Sequence, residues 1–217
     1  GKLRVAVVST AKYFVPRLLG SFCAEHPNIE IALEVLNRDG VVARLRENRD
    51  DLYIMSTPPE KFDLECHAFL PNPLVLIAQE GHALAKRSLD LSDLSAERFI
   101  LRERGSGTRM ATDQLFRELD FRPRLRLEMG SNEAIRQSVA GGLGVAVLSA
   151  HALGEGVAGD AVTVLDVQGF PVHSQWHVVC PKGKRLSPIA AVFREHLLKG
   201  APGEPAPAPK SRRRQAG

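Results

Sequence analysis

The hydrophobic pattern of this chain changes period several times. "LRVAVVS" (Leu3 to Ser9) and "LGVAVLS" (Leu143 to Ser149) are nearly unbroken apolar runs. Such runs suit parallel strands covered on both faces. "NIEIALEVL" instead alternates Ile29, Ile31, Leu33 and Val35, as a half-buried strand does. Between these, "TAKYFVPRLLGSFCAEHP" sets Phe14, Leu18, Leu19 and Phe22 at helical spacing, with Pro16 in the early turns and Pro27 as the stop. "GVVARLREN" predicts a short amphipathic helix, and "DDLYIMSTPP" a strand halted by Pro58 and Pro59. Residues 1–59 therefore read β-α-β-α-β, the opening of a doubly wound α/β sheet.

The same rhythm returns. Strand-like runs at Leu64 to Leu70 and Pro73 to Gln79 are split by Pro-Asn-Pro, and a short helix then leads into a strand ending near Leu101. A helix carrying Met110, Leu115, Phe116 and Leu119 follows, then the strand "RLRLEM" and the helix "SNEAIRQSVAGG", closed by Gly141 and Gly142. Late strands "VTVLDV" and "SQWHVVCP" precede a helix with Ser187 as N-cap, Pro188 at its first position and Gly200 after it. That last helix is placed back on the first lobe. The expected architecture is two α/β lobes joined by two crossovers near residues 71–79 and 164–172. Lobe 1 takes residues 1–72 and 171–199, lobe 2 takes 77–166, and 200–217 form a Pro/Ala-rich basic tail expected to be disordered.

Charge sharpens this picture. The formal net charge is +4, but +3 of it comes from Lys210, Arg212, Arg213 and Arg214 against Glu204 in the tail. The near-neutral body argues against a broad face for a phosphate backbone. No apolar run approaches 18 residues, so no membrane-spanning helix is expected. Cys23, Cys66 and Cys180 lie too far apart for a disulfide framework or zinc spacing, and buried thiols in a reducing cytoplasm are the expectation.

The chemistry-bearing residues cluster where strands end and helices begin. Ser9-Thr10-Ala11-Lys12, "RGSGTR" (Arg104 to Arg109) and Met129-Gly130-Ser131-Asn132 all have this setting, and Met55-Ser56-Thr57 ends another strand. Helix starts expose unpaired N–H groups and positive partial charge, and ligands of open α/β sheets collect beyond the carboxyl ends of strands. With Lys12, Arg102 and Arg109 nearby, the set reads as a seat for a small anion, with Gly105 and Gly107 letting the backbone approach and Ser106 and Thr108 offering hydroxyls. Each loop alone reads first as an ordinary helix cap; it is the converging set that reads as an anion seat. The phosphate-loop pattern is absent, "GGLGVA" lies after a helix rather than before one, and the seven histidines show no ligand spacing. No catalytic constellation, metal set or cofactor site is expected.

The blocks "LRVAVVSTAKYFVPRLLGSFCAEHPNIEIALEV", "LRENRDDLYIMSTPP", "PLVLIAQEGHALA", "FILRERGSGTR" and "MGSNEAIRQSVAGGLGVAVLS" occur in an order that resembles the effector-binding domain of LysR-type transcriptional regulators, over roughly residues 2–198. "STAKYFVPRLLGSF", "YIMSTPP" and "LPNPLVLIA" are most similar to the Calvin-cycle members that govern carbon-dioxide-fixation operons. The resemblance implies a periplasmic-binding-protein-like fold of two Rossmann-like lobes. It implies effector contacts at Ser9, Thr10 and Ala11, at Met55, Ser56 and Thr57, and at Gly105 to Arg109 and Gly130 to Asn132. Implied effectors are ribulose bisphosphate, another sugar phosphate or NADPH. Implied partners are a second copy, packed through Pro16 to Glu25 and Asn132 to Ala140, a tetramer in the full-length protein, and operator DNA through an amino-terminal winged helix-turn-helix. Residue 3 already opens the first strand, so this chain by itself is not expected to bind DNA. Two other functions share the fold: a solute-binding protein for transport, and an enzyme on a phosphorylated metabolite with Ser106 or Thr108 as nucleophile. The second lacks an evident base.

Overall fold

The computed structural model describes residues 1–153 and 161–200; the tail from 201 onward lies outside the described residues. Lobe 1 begins with β1 (Lys2–Val8), α1 (Val15–Glu25), β2 (Glu30–Leu36), α2 (Arg38–Arg46) and β3 (Leu52–Met55), then adds β4 (Leu64–Pro71). Lobe 2 holds β5 (Leu74–Gln79), β6 (Arg98–Arg102), α3 (Gly107–Glu118), β7 (Arg124–Met129), α4 (Asn132–Ala140), β8 (Val145–Ser149) and β9 (Val162–Val164). The chain then returns through β10 (Gln175–Pro181) and α5 (Pro188–Gly200).

The two sheets are built alike. Their strand orders are β2-β1-β3-β10-β4 and β7-β6-β8-β5-β9. In each, three parallel strands from a β-α-β-α-β unit are extended by an antiparallel strand that arrives over a crossover: β10 beside β3, and β5 beside β8. The fully apolar runs take central places: β3 and β8 are buried throughout, while alternating β2 and arginine-rich β7 lie at the edges. α5 covers lobe 1, packing Phe193 on Phe22 of α1 with ring centroids 4.9 Å apart. The crossovers are joined: Leu74 and Val172 exchange backbone hydrogen bonds of 3.0 and 2.8 Å, and the Asn72 N–H donates to the Ser174 carbonyl at 2.8 Å.

Three local expectations change. The first helical run splits into a 3-10 turn, Ser9–Tyr13, and α1, because Pro16 has no N–H to carry the helical ladder back to the turn. On α3, Met110 (40% exposed) and Leu119 (49%) face outward, and the buried side is Thr108, Arg109, Thr112 and Phe116. Gly200 ends inside α5 rather than after it.

Candidate functional site

The strand ends of the two lobes meet. Buried polar residues concentrate there: Thr10, Asn72, Arg102, Ser106, Thr108, Asn132 and Ser149 are all below 9% exposed. At the centre Arg102, 3% exposed, ends β6. Its Nη1 donates to Asn132 Oδ1 at 2.8 Å, its Nη2 to Ser9 Oγ of the other lobe at 3.4 Å, and its Nε to Glu103 at 2.7 Å. Asn132 Nδ2 in turn donates to Thr10 Oγ1 across the seam at 3.2 Å. A guanidinium is buried only where such partners replace its water.

Capping explains some of these residues and not others. Ser106 and Ser131 are N-caps, accepting from the N–H groups of Arg109 (3.2 Å) and Ala134 (3.1 Å). Ser9 and Thr10 cap nothing; their hydroxyls are used between lobes. Thr108 Oγ1 takes part in none of these bonds, and no histidine is bonded to Ser106 or Thr108 among the described residues.

The "RGSGTR" loop touches lobe 1 directly. The Asp39 N–H, at the start of α2, donates to the Gly105 carbonyl at 3.1 Å. Gly105 has φ +95°, and a Cβ there would lie 2.6 Å from Asp39 Oδ2. A Cβ on Gly107 would lie 3.3 Å from Ser56 Oγ and 3.6 Å from Thr57 Oγ1. At Gly105 the positive φ favours glycine, whereas at Gly107 a Cβ would ask Ser56 to give by only a few tenths of an ångström. The Thr57 carbonyl accepts from Arg38 Nε at 2.8 Å, which fixes the other wall.

Three expected site residues do not bring their side chains into the seam as anticipated. Arg109 is committed elsewhere: Nε holds Asp113 at 3.0 Å, and Nη1 holds Glu128 at 2.9 Å and the Arg102 carbonyl at 2.7 Å. It braces α3 on β6 and β7 and carries two carboxylates, where Arg102 carries one. Ala11 and Met55 are fully buried in the lobe 1 core and offer a ligand only backbone. Lys12 is exposed and pairs with Glu133 on α4 at 3.0 Å. Gly130 is exposed and Ser131 half-buried beside it.

Sequence reasoning missed a second cross-lobe group. Tyr13 Oη donates to Glu133 Oε1 at 2.5 Å, on the oxygen that also holds Lys12. Burial alone would raise the Glu133 carboxyl, but the bonds from Tyr13 and Lys12 outweigh it and hold it at about 2. Burial, then the bond to Glu133, pushes the Tyr13 phenol up to about 12. Tyr13 adjoins Lys12 and Glu133 adjoins Asn132, so nearness to the expected loops was the available signal. A depressed carboxyl stabilises the fold above its unfolded value, near 4.5, and that stabilisation is lost as pH falls towards 2. Glu133→Gln should therefore be less stable than the parent by a constant margin between about pH 6 and 8, narrowing below about pH 4.5. Urea unfolding across that range checks this; a margin independent of pH would mean that the Glu133 charge does not help hold the lobes together.

At the crossovers Ser149 Oγ donates to Asn72 Oδ1 at 2.6 Å, and His151 Nε2 lies 2.9 Å from the Pro71 carbonyl. Burial lowers the His151 pKa against that bond, favouring a neutral ring that donates to the carbonyl.

Two sheets of matching order, two joined crossovers and a polar seam between facing strand ends define a two-lobed α/β receptor of periplasmic-binding-protein type. The chain belongs to the LysR substrate binding domain family, whose model matches residues 1–202. It is 46% identical over 209 residues to a RuBisCO operon transcriptional regulator of Acidithiobacillus ferrooxidans, covering 95% of this chain and 68% of that protein. It is 45% identical over 200 residues to the HTH-type transcriptional activator CmpR of Synechocystis, covering 91% and 66%. The solved Synechocystis PCC6803 CcmR regulatory domain, in complex with 2-PG, matches with TM-score 0.90 at 47% identity, covering 94% of this chain and 100% of that one. The chain thus spans about two thirds of the length of its curated relatives. These relatives are transcriptional regulators, in keeping with the regulatory reading.

Proposed function

We propose that this domain senses a small phosphorylated anion held between its lobes, and that in a full-length regulator it passes that signal to operator DNA controlling carbon-fixation genes. The buried Arg102 carries the reading. A desolvated guanidinium, shared between Ser9 of one lobe and Asn132 of the other, offers an anion a charge-assisted contact that spans the seam. The N-terminal turns of α3 and α4 add N–H groups and positive partial charge beside it. Candidate effectors are 2-PG, ribulose bisphosphate or a related sugar phosphate, and NADPH. A ligand favouring the closed seam over an open one would shift the population of lobe geometries.

The domain acts as a homodimer, and as a tetramer in the full-length protein, within the cytoplasm. Pro16 to Glu25 and Asn132 to Ala140 would meet on the partner. The neighbouring edge strands support this, since β2 and β7 leave backbone groups unpaired and expose Val35 (41%) and Leu125 (48%). DNA contact would come from a winged helix-turn-helix outside this domain.

Calorimetry with 2-PG, ribulose bisphosphate and NADPH tests the reading; no heat with any of them, in folded protein, overturns it. Thr108→Val should weaken binding about two- to tenfold with the fold retained, because it removes one neutral hydroxyl contact. An unchanged Kd would take Thr108 out of the site.

A further inference from the structure

Trp176 is the only tryptophan of the chain and is 1% exposed. It lies near the start of β10, opposite Leu70 of β4, with a break in the β4 register between it and His177. Its ring centroid is 5.2 Å from Phe14, the residue after the Ser9–Tyr13 turn, and 6.3 Å from His151, which follows the end of β8. His151 in turn holds the carbonyl of Pro71 in the first crossover. The indole therefore stands where the first loop of lobe 1, the last strand end of lobe 2 and the crossovers come together.

Its Nε1–H has no hydrogen-bond partner among the described residues. The contrast with Tyr53 is direct. That side chain is also fully buried, yet its hydroxyl accepts from the Asp50 N–H at 2.9 Å and donates to the Arg44 carbonyl at 3.2 Å. Phe22 and Phe193 fill the rest of this core with no polar atom to satisfy. A buried donor without a partner destabilises the fold, and phenylalanine would supply the ring without that cost. The neighbouring His177 repeats the pattern: its Nδ1 is buried and unpartnered, and it pairs in register with Met55, just before Ser56 and Thr57.

We infer that Trp176 is a specificity-determining residue of the interlobe site, its indole N–H donating to a negatively charged oxygen of the bound effector. This rests on the reading of the seam as the effector site. The contact would favour ligands with an anionic oxygen at the crossover end, beyond the charge that Arg102 meets.

One tryptophan gives one indole N–H signal in a nitrogen–proton NMR spectrum. With 2-PG added to the 15N-labelled domain, that proton should move downfield while calorimetry on the same sample records binding. Trp176→Phe should bind 2-PG about tenfold or more weakly, the scale of one hydrogen bond to a charged group. Its ligand-free Tm should be unchanged or higher, which a purely structural tryptophan would not give. Binding heat with a stationary indole signal, or a Trp176→Phe domain with parental affinity, overturns the assignment while leaving the site intact. If 2-PG gives no heat, ribulose bisphosphate and NADPH are used in turn. Silence with all three overturns the reading of the site and this assignment together.

Discussion

Arg102→Met is expected to abolish most effector binding while leaving the fold standing. Removing a buried hydrogen-bonded charge from a binding site costs about 2–5 kcal/mol of affinity, roughly thirtyfold to several thousandfold. Stability should fall too, by about 1–3 kcal/mol, because Asn132 Oδ1 loses its buried donor. Methionine matches the length of the buried stem, so the packing around it is largely kept. Glu103, left without its partner, is 25% exposed and can turn to water. Arg102→Lys should bind more weakly than the parent, because one ammonium cannot reproduce the planar fork that reaches Glu103, Asn132 and Ser9 at once. Calorimetry beside thermal unfolding separates the two effects, and an Arg102→Met domain with parental affinity would move the anion elsewhere.

Gly144→Ala is expected to act in the opposite way, on the fold rather than on the site. Gly144 precedes β8 and lies against the first residue of β6. A Cβ there would overlap the Arg98 carbonyl oxygen and lie 3.0 Å from the carbonyl carbon. The obstacle is backbone, held by the pairing of Phe99 with Val145, so no rotamer change relieves it. Overpacking of this kind costs about 3 kcal/mol, which in a domain of this size lowers Tm by roughly 6–12 °C. A shift under about 2 °C would mean the two strands separate more easily than their central place in the sheet implies.

The elements that were legible in the sequence are those whose pattern is local. β1 and β8 read as doubly covered strands because their runs are nearly all apolar, β3 as a strand because prolines halt it, and β2 as half-covered because it alternates. Helix starts at Ser106, Ser131 and Ser187 were visible because a cap is a short-range device. The pairing of the lobes was not. Arg102 with Ser9, Asn132 with Thr10, and Tyr13 with Glu133 join residues 93, 122 and 120 positions apart, and no period records such a match. Arg109 shows what a local motif leaves out. Beside two glycines it resembled an anion ligand, yet Glu128 and Asp113 already surround it, and Glu128 comes from a different element. Met110 and Leu119 misled for a related reason: the inner face of α3 meets a polar seam, so threonine and arginine occupy positions that apolar residues hold on other helices.

The strand order of lobe 1 also sets a timetable. β10 sits between β3 and β4, so that sheet cannot be completed until residues 175–181 have left the ribosome. The sheet of lobe 2 draws all its strands from one continuous stretch, Leu74 to Val164. The half that is translated second is therefore the first able to finish folding. The half begun at residue 2 must wait with the flank of β3 open, guarded by nothing but its short length.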